Sequence, residues 1–137
     1  MSSENVETVR KCTEAYRRGD FEEATAWMSP DIEWDMSGVQ MPDAAVYRGF
    51  EGLTRFREQW EESWESTVLE PQEFIDAGDQ VVAVIRQSGR GKLSGADVEH
   101  GFAQLWTLRE GVIVRMAIHP DRETALAAAE TAERARR

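Results

Sequence analysis

Val98-Glu99-His100-Gly101-Phe102-Ala103-Gln104-Leu105-Trp106-Thr107-Leu108, the turn Arg109-Glu110-Gly111, and Val112-Ile113-Val114-Arg115-Met116-Ala117-Ile118 decide the fold. Two runs rich in Val, Ile, Phe and Trp flank a short turn that contains glycine, the pattern of a β-hairpin. Upstream, Gln80–Gln87 reads as a third strand, set off by the turn residues Asp76-Ala77-Gly78-Asp79. A strand over about Thr67 to Ile75 is expected beside it. There Leu69 and Phe74 fall on opposite parities with Pro71 between them, which predicts an edge position or a bulge. The implied element is a long, curved antiparallel sheet.

The N-terminal half supplies helices to cover one face of that sheet. Val6, Val9, Cys12, Thr13 and Tyr16 recur at helical spacing, and Gly19 stops the run. Asp20 predicts the cap of a second short helix, with Glu23 three residues on and Phe21, Ala24, Trp27 and Met28 on its apolar side. Pro30 and Asp31 are expected to end it. Ile32-Glu33-Trp34-Asp35 then reads as a short strand leading into a polar loop through Asp43. A long helix is predicted from about Gly49, where Leu53, Phe56, Trp60 and Trp64 form one apolar face. After Pro120, Asp121 predicts the start of a last helix in which Ala125, Leu126 and Ala129 can dock.

Composition excludes several classes. With 16 basic against 26 acidic residues the formal charge is −10, which opposes nonspecific attraction to nucleic acid or an anionic membrane. The basic end Arg134-Ala135-Arg136-Arg137 reads as the solvated terminus of a helix. Cys12 is the single cysteine, so neither an intrachain disulfide nor a multi-cysteine zinc site can form, and its helical phase makes it a packing residue. No apolar run is long enough for a membrane span, and no secretory signal pattern opens the chain, so a cytoplasmic location is expected. Gly89-Arg90-Gly91 lacks the strand–turn–helix context of a nucleotide loop, and there is no Ser-centred hydrolase elbow. No cofactor is therefore expected.

Alternation along the sheet collects the candidate chemistry. His100, Phe102, Gln104 and Trp106 share one strand parity, and Glu99, Gly101, Ala103, Leu105 and Thr107 share the other. If the first set faces inward, a possible base, an amide and two aromatic surfaces converge in one cavity. Trp34, Trp60 and Trp64 can add apolar walls. Arg86, on the neighbouring strand, is a candidate for binding an anion or carbonyl, and His119 is placed near the mouth beside Pro120 and Asp121. Either histidine could exchange a proton near neutrality. Glu99 falls opposite His100 and no compact His-x-x-x-His pattern occurs, so no metal site is expected.

Four segments carry a family resemblance: Ala15-Tyr16-Arg17-Arg18-Gly19-Asp20-Phe21, Asp31-Ile32-Glu33-Trp34-Asp35, Tyr47-Arg48-Gly49-Phe50-Glu51-Gly52 and Phe102 through Ile113. With the order of elements, they make the chain similar to SnoaL-like proteins of the nuclear transport factor 2-like superfamily. The resemblance covers nearly all of residues 1–137, which read as a single SnoaL-like domain. It implies an α+β, cone-shaped fold in which a curved antiparallel sheet and N-terminal helices enclose a pocket. It further implies a homodimer through the outer face of the sheet. The superfamily includes isomerases, polyketide cyclases, epoxide hydrolases and noncatalytic binding or partner proteins, so fold leaves the reaction open.

By local alignment Asp35 resembles the carboxylate that transfers a proton in steroid-isomerase relatives, and near an apolar cavity its pKa should rise. Tyr16 matches the first-helix motif but is out of phase with the isomerases' oxyanion-binding tyrosine, where this chain has Cys12. Their second oxyanion acid has no counterpart near Phe102 and Ala103. Both departures argue against steroid isomerisation. Two readings follow. One is a pocket protein for a small apolar or aromatic, carbonyl-containing or polycyclic ligand, working as a cofactor-free isomerase, cyclase or hydrolase. There Asp35, His100 and His119 are candidate acid–base residues and Tyr16, Trp34, Trp60, Arg86, Phe102, Gln104 and Trp106 contact ligand. The other is a noncatalytic ligand-binding or protein-partner domain.

Overall fold

In a computed structural model, residues 2–38 and 45–135 are described. The elements run α1 (Ser2–Arg17), α2 (Phe21–Ala26), β1 (Met28–Asp35), β2 (Val46–Arg48), α3 (Gly49–Ser63), β3 (Trp64–Ala77), β4 (Gln80–Gly91), β5 (Asp97–Arg109), β6 (Val112–His119) and α4 (Arg122–Ala135). The six strands form one sheet in the order β2-β1-β6-β5-β4-β3. Most of the polar loop expected through Asp43, and the tail residues Arg136 and Arg137, lie outside the described residues.

Local chemistry accounts for the joints. Asp20 caps α2 by accepting from the Glu23 backbone N–H at 3.1 Å. Glu110 and Gly111 both have positive φ, 52° and 79°, and alone separate the paired residues Arg109 and Val112. That is the two-residue turn whose twist suits a hairpin. Pro71 sits on β3, an edge strand, and the pairing with β4 shifts between Pro71 and Glu73. The missing N–H is tolerated there because the ladder is interrupted at that point.

Three local expectations need correction. The sheet is mixed, since β1 runs parallel to β6 while all other neighbours are antiparallel. Pro30 and Asp31 lie inside β1, where the register with β6 shifts between Met28 and Glu33. The irregularity accommodates the proline in what had read as a helix end. Trp64 opens β3 instead of closing the long helix, although its ring still lies 5.5 Å from that of Trp60.

Alternation gives the sheet two apolar faces. On the inner face, Ile32, Val81, Ile85, Ile113 and Met116 pack with Val9, Leu53 and Phe56 from α1 and α3. On the outer face, Val82, Ala103 and Leu105 pack against Ala125 and Ala129 of α4. The surface expected to seek a second copy is thus covered at its centre by the chain's own last helix. Ion pairs flank that cover: Glu33 and Asp35 with Arg115, Arg86 with Glu99, and Arg90 with Asp97. Among the described residues, no helix is long and apolar enough to cross a membrane.

Candidate functional site

Between the inner face and α1 and α3 lies a cavity of about 240 Å³. Its buried walls include Trp34, Phe56, Phe102, Trp106, Met116 and Ile118. Trp60 and Tyr16 border it and are half-buried. Arg17, His100, Gly101 and Pro120 also line it but are exposed, so they mark its opening. The aromatic walls brace one another: Trp34 meets Trp106 edge-on at 5.6 Å, and Phe56 lies 5.8 Å from Trp60.

Strand β5 sends His100, Phe102, Gln104 and Trp106 into this cavity, while Glu99 points outward to Arg86. The pairing of β4 with β5 continues unbroken from Gln80↔Thr107 to Arg90↔Asp97, so no bulge at Gly101 inverts the alternation. Trp106 Nε1 donates to Gln104 Oε1 at 3.1 Å. His100 lies 5.9 Å from the Phe102 ring, and its Nε2 is 2.7 Å from Gln87 Oε1. Gln87 is almost wholly buried, and its Nε2 donates to Thr67 Oγ1 at 3.2 Å. Gln87 escaped the sequence reading, although it ends the alternating set Val81, Ala83, Ile85, Gln87, where one polar residue follows three apolar ones.

Helix α1 presents Cys12, Thr13 and Tyr16 to the cavity. Burial pushes the Tyr16 hydroxyl up to about 12, despite the opposing charge of Arg57, so it is a neutral phenol near pH 7. Burial also pushes the Cys12 thiol up to about 12, and the thiol donates to the Ala24 carbonyl at 3.4 Å. Such a thiol is inert as a nucleophile, in keeping with packing. Two cavity-lining side chains, Thr13 through Oγ1 and Trp34 through Nε1, hold buried polar atoms with no hydrogen-bond partner.

Three sequence candidates lie elsewhere. Trp34 faces inward on β1, so its neighbour Asp35 faces outward and does not line the cavity. Its carboxylate accepts from Arg115 Nη2 at 2.8 Å, from the Ser37 backbone N–H at 2.9 Å and from the Ser37 hydroxyl. Burial pulls the Asp35 pKa upward, but the bonds from Ser37 and Arg115 outweigh it and hold the group below its ordinary value. The raised pKa expected of a cavity base is therefore reversed. His119 pairs with Ala103 on the outer side of the sheet, away from His100. Burial, and then the charge of Arg115, lower its pKa against the pull of Asp35 and Asp121. Arg86 is exposed and bound to Glu99. In each case the register between strands assigns the face, and a single strand does not reveal it.

The outer cluster predicts an acid response. Glu33 is held below its ordinary value chiefly by the hydrogen bond from Arg115, at 2.8 Å, and Asp35 is also lowered. A carboxyl with a depressed folded pKa adds stability above its unfolded value and loses it as pH falls toward the folded one. From ordinary values of 4.5 and 3.8, the loss should develop as pH drops through and below that interval. Thermal unfolding followed from pH 7 to about pH 3 should show the native midpoint falling further than that of Arg115→Met. Equal falls would show that Arg115 does not carry the effect.

Among the described residues, no three His, Cys, Asp or Glu side chains converge to hold a metal ion. The fold recurs in proteins of known structure. TerC, co-crystallised with polyporic acid, is 26% identical, with a TM-score of 0.76 over 93% of this chain and 98% of its own. An NTF2-like protein from Burkholderia thailandensis is 30% identical, with a TM-score of 0.76 over 92% of this chain and 96% of its own. Another from Burkholderia xenovorans is 29% identical, with a TM-score of 0.74 over 93% and 95%. No curated protein matches the sequence. The SnoaL-like domain model matches residues 9–116, from α1 to the middle of β6, which spans most of the cavity wall. The architecture, the enclosed aromatic pocket and that match agree, and the chain belongs to the SnoaL-like family.

Proposed function

We propose that the chain binds a flat, mostly apolar aromatic or polycyclic compound bearing oxygen, and acts on it by cofactor-free proton transfer at His100. The observation that carries this reading is the apolar cavity walled by Trp34, Phe56 and Trp106, with an imidazole at its opening. Enclosed apolar walls with few polar groups are the usual form of a small-molecule site. A cavity of about 240 Å³ exceeds the ~150 Å³ that admits benzene, yet falls below the ~300 Å³ typical of sites for drug-sized ligands. One or two fused rings fit inside, and a longer ligand would extend past His100.

Polyporic acid, an aromatic hydroxyquinone, is the first probe because TerC was crystallised with it. Titration should quench tryptophan fluorescence and saturate at one equivalent, since Trp34, Trp60 and Trp106 border the cavity. Its failure, joined to that of a panel of one- and two-ring phenols and enols, would sink the ligand reading. Saturable binding without turnover of any panel member would favour the noncatalytic reading.

The negative charge and single cysteine favour a cytoplasmic location without nucleic-acid or membrane partners. The homodimer through the sheet remains a proposal from family resemblance, restricted by α4 to the flanks of the outer face. Sedimentation at several protein concentrations checks it, and a mass of one chain throughout excludes it.

A further inference from the structure

We infer that Gln87 and Thr67 are positioning residues that hold His100 in one neutral tautomer, with its proton on Nε2, leaving Nδ1 as the atom that accepts a proton from the ligand. The inference rests on the proposed proton transfer for its purpose, but its geometry stands in the free protein.

Gln87 is 1% exposed and spans two partners across the inner face. On one side its amide nitrogen donates to Thr67 Oγ1 at 3.2 Å, and its oxygen is directed toward the ring. That oxygen lies 2.7 Å from His100 Nε2. An amide oxygen only accepts, so the ring nitrogen facing it must be the one that carries hydrogen. In neutral imidazole the other nitrogen then has a bare lone pair. The register secures the chain, because Gln87 pairs with His100 on β5 and with Leu69 on β3, two residues from Thr67. Three strands thus fix the hydrogen-bond state of a residue at the rim.

The consequence for ligand choice is definite. An acceptor at Nδ1 favours a compound presenting an acidic O–H or a C–H next to a carbonyl, such as a phenol or enolisable ketone. A compound that offers only a carbonyl oxygen to this nitrogen gains no hydrogen bond from the neutral ring. Proton transfer moves hydrogen from the ligand to Nδ1 and leaves an imidazolium bound through Nε2 to Gln87. Return of that proton to another ligand atom restores the starting ring and completes an isomerisation.

The chain has only two histidines, so ring nitrogens labelled with nitrogen-15 can be assigned by comparison with His119→Asn. At mildly alkaline pH, native protein should show the His100 proton on Nε2 alone, with slowed exchange of that N–H against water. Thr67→Val and Gln87→Leu should each add a detectable Nδ1–H form and lose the slowed exchange. Gln87→Glu, which keeps an acceptor in place, should retain the native pattern. A native ring protonated on Nδ1, or a pattern unchanged in Thr67→Val, would overturn the assignment whether or not Gln87→Leu folds. The fluorescence titration with polyporic acid separates the two proposals: the expected tautomer without any binding sinks the ligand reading and leaves this one standing.

Discussion

Phe56→Ala should lower the unfolding free energy by about 3–5 kcal/mol, through lost transfer energy and the space left behind. Phe56 is 5% exposed, and its ring lies 5.3 Å from that of Tyr47, 6.2 Å from Trp34 and 5.8 Å from Trp60. Removing it withdraws contacts from both β1 and β2, and from the next turn of α3. One side of the ring already borders the cavity, so the effect should lie toward the lower end of that range. The enlarged cavity should also grip a flat ligand less well. Denaturant unfolding gives the first quantity from the midpoint, provided the slope is unchanged. A loss below about 1 kcal/mol would mean that the aromatic cluster closes over the gap, and that Phe56 does not anchor α3.

His100→Asn, measured on a compound the protein turns over, should reduce turnover by about 10²–10⁴-fold, the usual contribution of a positioned acid–base group. Asparagine retains a polar contact toward Gln87 but cannot take a proton. Ligand affinity should change far less than turnover, which separates chemistry from placement. Asp35→Asn should behave in the opposite way. Asp35 is tied to Arg115 and Ser37 on the far side of the sheet, so its loss should weaken the fold and spare the reaction. Turnover lost in Asp35→Asn but retained in His100→Asn would reverse the assignment and restore the carboxylate as the proton-transfer group.

The contrast between these residues shows how much of the site was legible in the chain. His100, Phe102, Gln104 and Trp106 could be grouped because alternation within one strand needs no partner. Arg86, His119 and Asp35 could not be placed by the same rule, since each sits on a different strand. Whether Arg86 or Gln87 faces inward depends on the register of β4 against β5, and the pairing of β5 with β6 shifts between Thr107 and Leu108. One residue of slip exchanges the faces.

Residue type and spacing alone determined the starts of α2, α3 and α4, though not where α2 and α3 end, together with the glycine-bearing hairpins, the edge placement of Pro71 and the packing stripe of Leu53, Phe56 and Trp60. These are local properties: backbone freedom, capping and periodicity act within a few residues. Tertiary structure alone decided that β1 lies parallel to β6, that α4 covers the outer face, and that Glu33 and Asp35 face outward, where Arg115 pairs with them. It also joined Thr67, Gln87 and His100, which lie up to 33 positions apart, into one hydrogen-bonded chain. Such contacts form only when strand registers are chosen, and that choice is made by the burial of whole faces together.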